Sequence, residues 1–309
     1  MDKCSVIPAQ AGIHEKTGFL LPASARTSFA GMAINDNVIK LSMKINKFTL
    51  MKKKPLILIT NDDGIDAAGI KALRLSLNKI ARTVVFAPLS EKSGASHSFS
   101  LRKPLEVVWR NRTTVAVDGT PTDCVMLAIR GLLKERPDLV VSGINHGPNL
   151  GDDVTYSGTV AGATEGTLLG IPSIAVSCTS WNGCNFQAAA HYARRVAATA
   201  LKHGLPKNTL LNVNVPSLPI SRIKGVKITK LGKRIYRDVI VEQKHPDGRQ
   251  YFMIDGADPD WERQPRTDFE AIEQNYVSIT PFHLDWTNHR ALANLKKWET
   301  ILAKDRPGR

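Results

Sequence analysis

Cysteine is scarce in this chain. Four thiols in 309 residues are too few for a disulfide framework. Cys4, Cys124, Cys178 and Cys184 also contain no C-x-x-C pair, so reduced thiols and a cytoplasmic protein are expected. Long apolar runs are missing: nothing approaches the roughly 18 residues of a membrane span. Several motifs are absent too. No G-x-G-x-x-G follows a strand-like run, which argues against a dinucleotide site, and no G-x-x-x-x-G-K-[ST] occurs, which excludes a P-loop. There is no G-x-S-x-G elbow and no H-E-x-x-H. The first acidic motif reads Asp-Asp-Gly rather than Asp-x-Asp, which disfavours an aspartyl-phosphate phosphatase.

The composition that remains is globular, with 42% hydrophobic and 23% charged residues. The net charge of +14 is spread along the body of the chain. It fits an acidic ligand or a well-solvated surface. No basic stripe interleaved with aromatics accompanies it, so a nucleic-acid-binding protein is the weaker alternative. Residues 1–50 carry no sustained period, and Pro8, Gly12, Gly18, Pro22 and Gly31 interrupt each apolar stretch. Phe19-Leu20-Leu21 is too short for a secretory signal. Met51, before three lysines and the first strong strand, reads as a natural start. Residues 1–50 are therefore expected to be a disordered or mis-annotated leader.

From Lys54 the pattern is α/β. Buried-type strands are predicted at 55–60, 83–87, 138–142, 173–177 and 210–215. Helices are predicted at 70–80, 122–133, 159–169 and 186–203, and a hairpin at 105–109 and 113–117. The alternation implies a mostly parallel sheet flanked by helices. Residues 51–216 are expected to form this domain. Residues 217–309 are expected to form an antiparallel extension, with strands at 226–231, 236–243, 251–254 and 276–281, a turn at Pro246-Asp247-Gly248 and a terminal helix at 290–303. An exposed hairpin of this kind suits contacts between subunits.

Ligands of open parallel sheets bind beyond the carboxyl ends of the strands. The loop after the first strand is Asn61-Asp62-Asp63-Gly64. Loops beginning at Ser90 and Gly143 follow the second and third. Adjacent carboxylates repel unless a cation joins them. A hard divalent ion taking oxygen ligands resolves this, with Ser93 and Asn145 adding neutral oxygens. Ser157-Gly158-Thr159 opens the fourth helix and suits a phosphate at its positive end. Gly158, Gly162 and Gly166 leave one face of that helix bare for close packing on the sheet.

Five stretches, taken in order, resemble the SurE family of 5'-nucleotidases. They are Ile59 to Ile65, Ser93-Gly94-Ala95-Ser96, Gly119-Thr120-Pro121-Thr122-Asp123-Cys124, Ser142 to Asp153 and Tyr156-Ser157-Gly158-Thr159. The resemblance runs from about Lys54 to the terminal helix and includes Tyr276 to Pro281. It implies a Rossmann-like domain and a phosphomonoesterase acting on nucleoside 5'-monophosphates, with 3'-nucleotides and polyphosphate left open as substrates. It implies one Mg²⁺ or Mn²⁺ per subunit on Asp62, Asp63, Ser93 and Asn145, the set the loops already suggest. It also implies a homodimer or homotetramer built through the C-terminal hairpin. His97 and His146 depart from the residues expected beside those ligands. On this reading Asn61, Asp62 and Asp63 are catalytic, while Asn61, Gly94, Asn149, Ser157, Gly158 and Thr159 hold phosphate. His283 is a weak candidate for proton donor. A non-catalytic nucleotide binder is the other reading.

Overall fold

Leu56–Thr60 is buried at every position, which places it in the middle of a sheet. It is β1 of a computed structural model that describes residues 53–180, 182–235, 238–244, 248–256 and 260–304. The chain divides at Lys52/Lys53, and only the second unit contains described residues. The leader and the turn residues Pro246 and Asp247 lie outside them, as do positions 236 and 237 of the predicted strand.

The elements follow in chain order: α1 (Ala68–Leu77), β2 (Arg82–Pro88), β3 (Val107–Asn111), β4 (Thr114–Val117), α2 (Pro121–Leu127), β5 (Leu139–His146), α3 (Gly158–Leu168), β6 (Ser173–Thr179), α4 (Phe186–His203), β7 (Thr209–Pro216), β8 (Val226–Ile228), β9 (Arg234–Ile235), β10 (Asp238–Lys244), β11 (Gln250–Gly256), β12 (Asp260–Trp261), α5 (Asp268–Glu273), β13 (Val277–His283), α6 (His289–Leu295) and α7 (Lys297–Lys304). The predicted terminal helix is thus two short ones. The strand expected at 226–231 stops at Ile228, and Lys230 instead bridges to Thr267.

The main sheet has the order β3-β4-β2-β1-β5-β6-β7-β13-β8. β1 pairs in parallel with β2 on one side and β5 on the other, so the winding reverses between β1 and β5. That switch point is where ligands of open α/β sheets enter. β13 returns antiparallel to β7, and β10 and β11 form a separate antiparallel hairpin. Successive residues of β1 serve opposite layers, as a strand's period of two requires. Ile57 and Ile59 pack in the cluster that holds α1 and α4 residues such as Leu73 and Ala193. Leu58 packs with Phe86, Cys124 and Val125 of the α2 side.

The bare face of α3 explains how low it sits. A Cβ on Gly162 would lie 2.8 Å from Thr60 Cγ2, and one on Gly166 would lie 2.5 Å from Ser173 Oγ. Helix α3 therefore rests directly on the sheet, and its first turn reaches the end of β1.

Candidate metal and phosphate site

Asp62 is 4% exposed, although a lone buried carboxylate is costly. Burial pushes its carboxyl above the usual range, against hydrogen bonds from Thr159 that favour the charge, and Glu91 adds repulsion. The Thr159 hydroxyl donates to Asp62 Oδ1, and the Thr159 backbone N–H also bonds this carboxylate. Asp63, half-buried, is pushed up to about 7, first by burial and then by the Asp62 charge, while a bond from the His146 backbone opposes the rise. No ion pair with Lys or Arg reaches either carboxylate among the described residues.

The neighbouring loops are tied to this pair. The Lys92 N–H donates to the Asp62 carbonyl at 2.8 Å. The other end of that loop is anchored where the Ser100 N–H donates to Asp123 Oδ1 at 2.7 Å. Asp123 closes a capping box with Thr120 at the start of α2, which gives the Gly119–Cys124 motif a structural task. On β5 the pairing with β6 slips between Gly143 and Asn145. Gly143 has φ +135, and a Cβ there would sit 2.3 Å from the Val176 carbonyl oxygen. Such an irregularity re-aims the next side chain, and Asn145 faces the cleft.

Asp62, Ser93, Gly94, Asn145, Asn149 and Ser157 line one cleft of about 250 Å³. Asn145 donates Nδ2 to the Gly147 carbonyl at 3.0 Å, which leaves its amide oxygen to offer. The Ser93 hydroxyl donates to Glu91 Oε1 at 2.7 Å and keeps its lone pairs. Ser157 Oγ accepts from the Val160 N–H at 3.1 Å, so its O–H remains a donor. Asn149 is held from three sides. Its Nδ2 donates to Ser177 Oγ, and its carbonyl accepts from Asn212 and Asn214. The alternating Leu211-Asn212-Val213-Asn214-Val215 was their signal, because buried Asn inside a strand demands a partner.

Three of the named residues have contacts that the spacing did not indicate. Asn61 is fully buried, outside the cleft lining, and donates to the Gly64 carbonyl at 2.8 Å, so it shapes the loop. Thr159 turns its hydroxyl and N–H to Asp62 instead of to an anion. The first turn of α3 is thus tied to Asp62 through Thr159 and also opens on the cleft through Ser157. His283 lines a different, apolar pocket of about 620 Å³ with Trp286 and Phe282. His97 bonds the buried Glu165 at 3.0 Å, and His146 is exposed at the cleft.

A buried and a half-buried carboxylate without a cationic partner among the described residues, beside neutral oxygens, fit a hard divalent ion. No group of three or more His, Cys, Asp or Glu is placed to hold a metal among the described residues. Neutral oxygens at hand in the cleft are those of Ser93 and Asn145. The metal-free protein should lose stability as pH rises. A carboxyl whose folded pKa is raised binds its proton better folded than unfolded, so Asp63 subtracts stability between about pH 4 and about pH 7. The melting temperature in EDTA should fall more across that window than that of Asp63→Asn, and excess Mn²⁺ should remove the difference. Equal slopes for the two proteins would contradict this origin of the shift.

Comparison with known proteins adds an independent line. The family model described as Survival protein SurE matches residues 57–238. A protein named 5'-nucleotidase SurE from Geotalea daltonii is 50% identical over 244 residues, covering 79% of this chain and 98% of that protein. Another of the same name, from Moorella thermoacetica, is 50% identical over 252 residues, covering 80% and 97%. The crystal structure of the SurE protein from Aquifex aeolicus is 43% identical and covers 79% of this chain and all of that one, with a TM-score of 0.73.

Proposed function

The chain belongs to the SurE family, and on that premise we propose that it is a divalent-metal-dependent 5'-nucleotidase, releasing phosphate from nucleoside 5'-monophosphates. The observation that carries the reading is the Asp62–Asp63 pair, sunk at the switch point with raised pKa values and no cationic partner among the described residues. Asp62, Asp63, Ser93 and Asn145 would hold one Mg²⁺ or Mn²⁺. When bound, the cation supplies Lewis acidity toward the phosphoryl oxygens. Ser157, with its O–H free to donate, would meet the phosphate in the same cleft, with Asn149 and Gly94 beside it. Thr159 keeps Asp62 in place, and Gly158 allows the close approach of helix to carboxylate.

Relatives that match over 97% or more of their own length use about 80% of this chain, which supports residues 1–50 lying outside the catalytic body. The hairpin of β10 and β11 carries exposed Ile240 and Phe252, which supports a homo-oligomer assembled through it. Among the described residues no helix is long and apolar enough to cross a membrane. A cytoplasmic setting fits the free thiols of Cys124, Cys178 and Cys184.

Phosphate release from AMP by purified protein, with Mg²⁺, Mn²⁺ or EDTA, tests the function. Release that depends on the cation is expected. Tight AMP binding with no turnover under any cation would instead make the protein a nucleotide binder.

A further inference from the structure

The oxygens of the cleft do not stand on equally firm ground. Asp62 directly follows β1, and Asn145 lies within β5, both central strands of the sheet. Ser93 and Gly94 come from residues 89–106, the loop between β2 and β3. A ligand on a loop is placed less precisely than one on a strand, and Mg²⁺ demands near-ideal geometry of its ligands. Ser93 therefore depends on whatever fixes that loop.

Two neighbouring residues tie the middle of the loop to the side of the cleft where Tyr156 and Ser157 stand. Ser96 donates its N–H to the Tyr156 carbonyl at 3.1 Å and its hydroxyl to the Thr155 carbonyl at 2.7 Å. It does so with φ +52, a left-handed conformation that a residue other than glycine keeps only where its surroundings hold it. His97 then reaches α3, where its Nε2 meets Glu165 Oε2 at 3.0 Å. Of these contacts, only the His97 bond reaches the body of the helix. The Glu165 side chain is 7% exposed and that of His97 is 36% exposed. No other ion pair or side-chain hydrogen bond reaches the Glu165 carboxylate among the described residues. Glu165 sits between Gly162 and Gly166, on the stretch of α3 that rests on the sheet, so it is a fixed post. A buried carboxylate is costly without a partner, which makes the contact hard to give up.

We infer that His97 and Glu165 are a positioning pair, which holds the loop against α3 and so fixes where Ser93 stands in the cleft. The inference rests on the metal-dependent reading for the ion that Ser93 meets, and on these contacts for the pair. Neither residue lines the metal cleft, so the pair acts through Ser93. Between Ser93 and His97 the Ala95 N–H donates to the Lys92 carbonyl at 3.2 Å, closing a turn around Ser93. The Lys92 N–H is itself bound to the Asp62 carbonyl. A loop held at Asp62 and at Glu165 leaves Ser93 little room to wander, and one released at Glu165 is held beside Ser93 from one end only.

The test is calorimetric titration with Mn²⁺ in the absence of substrate, run as a double-mutant cycle on His97 and Ser93. His97→Ala should weaken Mn²⁺ binding about 10-fold, as loss of a residue that orients a ligand does. In a Ser93→Ala background the same change should weaken it less than about twofold, because the loop then has no ligand to misplace. His97→Gln keeps an N–H donor for Glu165 and should restore most of the affinity. Ser98→Ala removes only a bond within the loop, from its hydroxyl to the Ala95 carbonyl, and should leave Mn²⁺ binding unchanged. If His97→Ala fails to fold because Glu165 is left buried and unpartnered, His97→Ala combined with Glu165→Gln leaves no charge buried there and should show the same loss. Native affinity in the His97→Ala protein, or in that combined variant, overturns the inference. So does an equal loss with and without Ser93, which would make the pair a clamp of the fold that does not act through the ligand. An equal loss in Ser98→Ala overturns it too. If the native protein binds Mn²⁺ and the cycle holds but no phosphate leaves AMP, the nucleotidase reading fails and the positioning pair stands.

Discussion

Asp62→Asn is expected to lose about three orders of magnitude or more in turnover, while its metal-free form melts above the native protein. The two effects share one cause. Asp62 is buried against the first turn of α3, and its charge is opposed by desolvation and by Asp63 and Glu91. Removing that charge relieves the metal-free fold. It also removes a ligand from a site that has only two carboxylates, and Lewis-acid stabilisation of this kind contributes several kcal/mol to a phosphoryl-transfer barrier. Asp63→Asn should behave alike, with a smaller stability gain because Asp63 is less buried. Thermal melting in EDTA and initial rates in saturating Mn²⁺ check both halves. An Asp62→Asn protein that melts lower and still turns over would contradict the assignment twice.

The second large effect is at Gly158. A Cβ there would lie 2.8 Å from Asp62 Cβ, 2.9 Å from its Oδ2 and 3.2 Å from its Cγ. The neighbour is the candidate metal ligand itself, so Gly158→Val must displace either Asp62 or the first turn of α3. Turnover should fall below about one-hundredth of native, and Mn²⁺ affinity should fall with it, since a displaced ligand is lost to the cation. Gly158→Ala should show the same pair of losses in milder form. Calorimetric titration with Mn²⁺ in the absence of substrate is the check. Normal Mn²⁺ affinity with lost phosphate competition would mean that the turn serves the anion alone.

Much of this was legible in the chain. The apolar run of β1, the alternation of strands and helices, and the polar loops at strand ends placed Asp62, Asp63, Ser93 and Asn145 on one edge of a parallel sheet. Gly158, Gly162 and Gly166 marked a helix face made for contact. The consequence of that contact was not legible. How far α3 descends depends on Thr60, Val140 and Ser173 beneath it, and only that depth brings Thr159 onto Asp62. The direction of Asn61 was not legible for a related reason: a residue at a strand end can point either way, and this one turns inward to Gly64. The pairing of His97 with Glu165 could not be seen because the two are 68 residues apart. Nothing local in either segment says that the loop reaches α3. β13 carries His283 to the apolar pocket, which adjoins the cleft at Ser157.

The central claim is that this cleft holds a divalent cation on which phosphate release depends. Phosphate release from AMP by metal-stripped protein, followed as Mn²⁺ is added back, tests it most directly, with Asp63→Asn alongside. The account predicts no turnover before addition, a saturating rise for the native protein, and a curve for Asp63→Asn that is displaced to much higher Mn²⁺ or flat. Full turnover by the stripped protein in EDTA, or superimposable curves for the two proteins, would contradict it.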